Sequence, residues 1–411
     1  MRGTKHFRRL GAGSAIFVVT LLVTNSWAAS HRVLVSFNGT NGNGPIAGLI
    51  SDAQGNFYGT TDTGGTSNFG TVYKLSQGTG GSWTETVLHN FTNDGHDGTH
   101  PFGQLVFDGQ GNLYGTTYRG GAHDFGTVFE LSPAQGGSWT ESILHNFSTV
   151  ANVGDGSFPE AGLIFDGQGN LYGTTYGGGT HGSGTVFELT PNGNGTWTKH
   201  TLRSFGGGTD GANPNSNLIF DAQGNLYGTS YAGGRNNVGT VYELSPNGSG
   251  GWTERLLHSF ALGADGSYPV ESALIFDSQG NLYGTTSQGG THAKGTVYKL
   301  TPNGSGGWTT SILHSFGSGT DGVNPFSGLT MDGQGNLYGT TFNGGSANFG
   351  TVFKLTPNGG GWSETILHSL AAGSDASHPY GPLFLDSQGN LYGTSYNGGT
   401  HAIGTVFEIT P

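Results

Sequence analysis

GTVFEITP, residues 404–411, alternates apolar and polar positions as a half-buried strand does, and it is the last segment of the chain. Its pattern occurs six times earlier, as GTVYKLS, GTVFELSP, GTVFELTP, GTVYELSP, GTVYKLTP and GTVFKLTP. Each earlier copy runs through a turn into one more strand, such as GGWTTSILHSF at 306–316. The last copy has no such successor. Its missing partner stands at the other end of the chain. HRVLVSF, residues 31–37, aligns with TVLHNF and SILHSF but has no strands before it. Residues 31–37 are therefore expected to pair with Gly404–Pro411, which leaves no open sheet edge.

The unit between these ends repeats seven times. D-x-Q-G-N-[LF]-Y-G-T recurs with its aspartates at 52, 108, 166, 221, 277, 332 and 386, at spacings of 54 to 58 residues. That period is close to a propeller blade and too long for a β-solenoid coil. One unit reads from 162 to 205. GLIFD is a short apolar strand and GQGN a turn; LYGTTY is the second strand and GGGTHGSG a loop. GTVFELTP is the third strand, NGNGT a turn and WTKHTLRSF the fourth strand. Trp83, Trp139, Trp197, Trp252, Trp308 and Trp362 each open a fourth strand. The reading is all-β: a seven-bladed β-propeller with four antiparallel strands per blade, closed by the strand 31–37.

Composition fits a folded, neutral-surfaced chain. It has 81 Gly in 411 residues, roughly three times the usual share, and only 10% charged residues. The regular apolar positions separate it from disordered low-complexity sequence. With no cysteine, stability rests on packing rather than disulfides. Residues 1–28 read as a signal peptide, with Arg2, Lys5, Arg8 and Arg9 before an apolar run from Ala15 to Val23 and a small-x-small site at Ser26–Ala28. Residues 29–411 are then one domain, secreted or periplasmic in a bacterium, with no membrane span left after cleavage. Loss of residues 1–28 removes four positive charges and no negative ones, taking the net charge from −12 to −16. Such a chain is a poor partner for nucleic acid or anionic membranes.

The recurring NLYGTT…GG…GTVF-[EK]-L-[TS]-P unit resembles the GloVer repeat, a Gloeobacter/Verrucomicrobia tandem-repeat family, over nearly the whole chain after residue 28. The resemblance implies an exported protein, in many members with a C-terminal surface anchor, and it implies no particular activity. The sequence up to Pro411 contains no such anchor pattern, so surface attachment is not an expectation here. The D-x-x-G-N-[LF]-Y piece is also similar to NHL and gluconolactonase-type propellers, which implies that GLIFD is the innermost strand and carries over no active site.

In a propeller the loops from strand four to the next strand one share a face with those from strand two to strand three. The first loop is D-G-x-x-P, with Asp97, Asp155, Asp210, Asp265, Asp321 and Asp375; Asn41 stands in the first copy. The residue before proline varies: His100, Phe158, Asn213, Tyr268, Asn324 and His378. The second loop carries His123, His181, His292 and His401 at equivalent positions. Asp, His and aromatic groups in a ring suit sugar hydroxyls and CH faces, or a protein ligand. Asp with loop carbonyls would suit Ca²⁺, the only cofactor these groups suggest. The competing role is turn capping by Asp before Gly. D-x-Q-G-N lacks the distal Glu of a calcium loop and reads as turn chemistry. His89, His145, His258, His314 and His368 recur once per fourth strand, too far apart to share one metal, and read as inter-blade packing.

Catalytic signatures such as G-x-S-x-G, H-E-x-x-H, a P-loop or a nucleophilic cysteine are absent from the sequence. Repeat symmetry breaks at Glu160, at a one-residue insertion around Glu271 and in a longer loop at Val150–Val153. Glu160 and Glu271 are thus the candidates for chemistry. The leading expectation is a non-enzymatic binding module, carbohydrate-binding for preference. The alternatives are an enzyme acting on a polysaccharide or lactone, and a purely structural repeat protein.

Overall fold

A computed structural model describes residues 29–148, 154–206, 208–271, 273–317 and 319–411. Residues 1–28, for which the sequence suggests a signal peptide, and the loop Val150–Val153 lie outside the described residues. Seven four-stranded antiparallel blades surround one axis. In the second blade the strands are Val106–Phe107, Leu113–Thr117, Thr127–Pro133 and Trp139–Asn146, paired in chain order.

The closing blade takes three strands from one end of the chain and one from the other. Phe384–Leu385, Leu391–Gly398 and Thr405–Thr410 are completed by Ser30–Ser36. Ser30 pairs with Thr410 and Ser36 with Thr405, and Phe37 N–H donates to Gly404 O at 3.0 Å. This ladder is bulged between Val33 and Val35. The covalent pair of the second blade is bulged at the equivalent point, between Val128 and Phe129. The two chain ends therefore reproduce the geometry that a turn enforces elsewhere.

The first strands are shorter than the GLIFD pattern suggests, with only two residues paired, as at Ile164–Phe165. Toward the axis the backbones of neighbouring blades approach too closely for a sheet to continue. A Cβ on Gly162 would sit 2.5 Å from Gln104 O. Gly162 N–H instead donates to the Asn217 side chain at 2.7 Å, and Thr116 Oγ1 donates to Ala161 O at 2.8 Å. The glycine of LYGT has a second reason: a Cβ on Gly115 would meet the Phe129 ring at 2.5 Å. The loops also pair briefly, Gly156–Ser157 with Gly177–Gly178, a ladder the sequence pattern does not announce.

The core lies between blades rather than within them. The phenylalanine ending each fourth strand is fully buried against the third strand of the next blade. Phe91 meets Phe129 with centroids 5.3 Å apart, Phe260 meets Tyr298 at 5.1 Å, and Phe37 meets Tyr73 at 5.1 Å. The one boundary with Leu370 in this position places it with Phe407. Tryptophans seal the same boundaries, as Trp197 does against Tyr114.

Two stability outcomes follow. Deleting Ser30–Ser36 exposes the Thr405–Thr410 edge, so thermal melting is expected to fall by several degrees, with aggregation during the melt; a variant melting like the parent refutes the closure. Phe260→Ala is expected to cost about 3–5 kcal/mol in denaturant unfolding, the range for a buried phenylalanine.

Candidate functional site

The face that gathers both loop families is built on an unusual backbone. His100, Phe158, Asn213, Tyr268, Asn324 and His378, each preceding a proline, all have φ between 55° and 59°. Side-chain-bearing residues rarely adopt that conformation, so the surroundings must hold it. His100 N–H donates to Phe69 O at 3.0 Å, and His100 O accepts from Tyr118 N–H at 2.9 Å. Phe158 is held in the same way by Phe125 O at 2.8 Å and Tyr176 N–H at 3.0 Å.

This clamp sets the variable residue beside the one that closes the neighbouring second strand. The latter position holds Asp62, Tyr118, Tyr176, Tyr231, Ser287, Phe342 and Tyr396. Tyr118 lies 5.2 Å from Phe158 and 5.1 Å from Phe102, stacked on the latter. Tyr231 lies 5.1 Å from Tyr268, and Phe342 lies 4.8 Å from His378. In the first blade the pair is polar, with His100 Nδ1 2.8 Å from Asp62 Oδ1. The rings are half-buried, and Tyr396 is 38% exposed. The sequence reading named one member of each pair and missed the second-strand aromatics. Their signal was the variable position after the repeated T-T or T-S.

Inside this aromatic ring lies the axis. One narrow cavity there is lined by residues from six blades, among them Phe102, Gln104, Glu160, Asn215, Asn217, Glu271 and Tyr380. Its free volume of about 30 Å³ holds one or two waters and excludes a sugar ring. Glu160 and Asn215 occupy the same repeat position, directly after the proline, and so does Tyr380. Glu271 arrives through the one-residue insertion, with φ 46°. The two symmetry-breaking carboxylates of the sequence therefore meet in one place. Burial pushes the Glu160 carboxyl up to about 7, against a hydrogen bond from Asn215. Burial, and then the charge of Glu160, raises Glu271 well above the carboxylate range, opposed by a hydrogen bond from Tyr380. Asn215 is 4% exposed, and its Oδ1 has no hydrogen-bond partner.

The D-G-x-x-P aspartates turn outward from the axis, into the blade boundaries. Each joins the fourth-strand residue of its own blade, and all but Asp265 also face a fourth-strand residue of the next. Asp97 meets His89 at 3.2 Å and accepts Thr92 N–H at 2.8 Å, with Glu141 beyond. Asp155 meets His145 at 3.2 Å and Lys199 at 2.7 Å; burial pushes its carboxyl up, but His145 and Lys199 outweigh this and hold it at about 2. Arg203 bridges Asp210 and Glu254, both at 2.6 Å. Asp265 meets His258 at 3.0 Å, and the other nitrogen of that ring faces Thr310 Oγ1 at 2.9 Å. Asp321 meets His314 at 3.1 Å, beside Glu364. Asp375 meets His368 at 3.2 Å and His31 at 3.3 Å. Asn41 donates to Glu85 at the seventh boundary. The loop histidines 123, 181, 292 and 401 are exposed at loop tips.

The D-x-Q-G-N carboxylates are occupied within their own turns. Asp166 accepts Gln168 N–H at 2.8 Å, Asn170 N–H at 2.9 Å, the Asn170 amide at 2.8 Å and the Tyr172 hydroxyl at 3.1 Å. Four donors leave no oxygen free for calcium.

A family model described as the Gloeobacter/Verrucomicrobia repeat matches residues 13–164, 140–306 and 250–411. No curated protein matches the chain. Among solved structures, the extracellular domain of a one-component system from B. thetaiotaomicron is similar at TM-score 0.55 and 15% identity, over 91% of this chain and 40% of that one. This chain thus spans well under half of that neighbour, and the likeness extends to the fold. A gluconolactonase from Xanthomonas campestris aligns at TM-score 0.40 and 17% identity, over 73% of this chain and 82% of that one.

The raised Glu160 carboxyl has a signed consequence. Its value of about 7 in the fold exceeds the unfolded value of about 4.3. The folded state therefore holds the extra proton between these limits, and stability falls as pH rises through the window. Glu160→Gln is expected to melt above the parent at pH 8 and level with it at pH 4, by calorimetry at both pH values.

Proposed function

We propose that this chain, which belongs to the Gloeobacter/Verrucomicrobia repeat family, is an exported carbohydrate-binding propeller that presents its ligand to the loop face around the axis. The observation that carries the proposal is the aromatic ring: five of seven blades end their second strand in Tyr118, Tyr176, Tyr231, Phe342 or Tyr396, most of them paired with a second ring. Half-exposed aromatic faces stack on sugar CH faces at low entropic cost. Asp62 with His100, and Asn213 and Asn324 between the aromatic positions, add hydroxyl partners. The N-terminal pattern of basic residues and a short apolar run supports export, and no helix among the described residues is long and apolar enough to cross a membrane.

A second reading rests on the axial pair. Glu160 and Glu271, whose carboxyls burial raises above the usual range, with Tyr380 beside them, resemble a general-acid site for a polysaccharide or lactone. The narrow cavity admits only a protruding group, so such a substrate would be worked on end-on.

A glycan array, with and without Ca²⁺, tests the first reading. Reproducible hits are expected in both conditions, and Tyr118→Ala or Tyr231→Ala is expected to weaken them by roughly 3- to 10-fold, the worth of one stacked ring. A clean negative in both conditions refutes carbohydrate binding. Turnover of a bound glycan that is lost in Glu160→Gln, with binding retained, selects the enzymatic reading.

A further inference from the structure

The seven blade boundaries repeat one arrangement with different occupants, and the differences are informative. Where the next blade supplies Lys199, its ammonium lies 2.7 Å from Asp155. Where Arg203 replaces the histidine, its guanidinium lies 2.6 Å from both Asp210 and Glu254. These two boundaries carry their own permanent cation against the acidic groups. Two others place a pair of carboxylates together with only an imidazole. His89 Nε2 lies 3.2 Å from Asp97 Oδ2 and 3.7 Å from Glu141 Oε1. His314 Nε2 lies 3.1 Å from Asp321 Oδ2 and 3.7 Å from Glu364 Oε2. The described residues bring no Lys or Arg to either pair.

Acceptors are left over at both places. Asp97 is 7% exposed, and its Oδ1 has no hydrogen-bond partner. Glu141 Oε1, the atom that faces His89, has none either, nor has Glu364 Oε1. Glu254 Oε1 at the Arg203 boundary is unpartnered as well, so the distinction lies in charge: here two carboxylates stand side by side without the cation that Lys199 and Arg203 supply in the sister boundaries.

We propose that the clusters His89–Asp97–Glu141 and His314–Asp321–Glu364 each bind one divalent transition-metal ion of the zinc class. Imidazole with two carboxylates is a zinc-type donor set, and calcium or magnesium would require more oxygens. Bond lengths of about 2.0–2.2 Å put tetrahedral ligand atoms roughly 3.3–3.6 Å apart. The separations from each histidine nitrogen, 3.1–3.2 Å to the aspartate and 3.7 Å to the glutamate, lie on either side of this range, so a shift of about 0.2 Å or less brings each ligand atom into place. Each ion would tie two adjacent blades, the first with the second and the fifth with the sixth.

The test uses protein stripped with a chelator, desalted and titrated with Zn²⁺, and separately with Co²⁺ for its visible d–d absorption. The double variant Glu141→Gln, Glu364→Gln keeps shape and hydrogen bonding and removes two ligands. It is expected to bind two Zn²⁺ equivalents fewer than the parent and to lose the Co²⁺ bands of those sites. It should also lose most of the Zn²⁺-dependent rise in melting temperature while melting no lower than the parent without metal. Glu254→Gln, at the Arg203 boundary, is expected to lose no equivalent. A parent that binds no Zn²⁺, or a double variant that binds as many equivalents as the parent, overturns the proposal and leaves a shared proton as the occupant. Should the double variant fail to fold, His89→Gln and His314→Gln, each expected to lose one equivalent, decide the same question.

Discussion

Everything in this molecule depends on six backbone pairings between its two ends, Ser30–Ser36 against Thr405–Thr410. Seven blades bury their cores against one another, so no blade is complete until it has neighbours on both sides. An open arc would leave one apolar blade face and one unpaired strand edge in water. The pairing removes both defects at once and makes first and last blades neighbours. It is non-covalent, yet it carries the same bulge as the hairpins. The bulge is thus a property of blade packing and not of the turn.

Each blade boundary has an apolar and a polar layer. Edge-to-face aromatic pairs such as Phe91–Phe129 and Phe316–Phe353 repeat with little variation. The polar layer of His, Asp and a third residue varies from boundary to boundary, as Glu141, Lys199, Glu254, Thr310, Glu364 and His31 show. Burial raises both Glu141 and Glu254 above the usual carboxylate range, with the neighbouring aspartate adding to both. The apolar layer supplies the adhesion that all boundaries need. The polar layer is where individual boundaries acquire distinct charge.

The loop face combines near-symmetry with a single asymmetric point. The clamp at the residue before proline repeats around the ring, so it presents different side chains at the same height. The axis is shared by all blades and cannot be symmetric at the level of one residue. Glu160, Glu271, Asn215 and Tyr380 each come from a different blade. A ligand that spans several ring positions would sense the repeat, and only a group entering the axis would sense the asymmetry.

The sequence by itself determined the blade count, the strand order and the closure. These features are periodic along the chain, and the split last blade is visible as a strand pattern without a successor. It also marked Glu160 and Glu271 as departures from the repeat. Only the tertiary structure decided that these two meet on the axis, and that Asp97 and its equivalents face the blade boundaries rather than the ring centre. It likewise decided that Tyr118 and its equivalents share a surface with the residues before proline. The reason is geometric. A repeat fixes what each residue does within its own blade. Contacts across a boundary or across the axis join residues about one period apart or more, and their identity depends on how the blades turn toward one another.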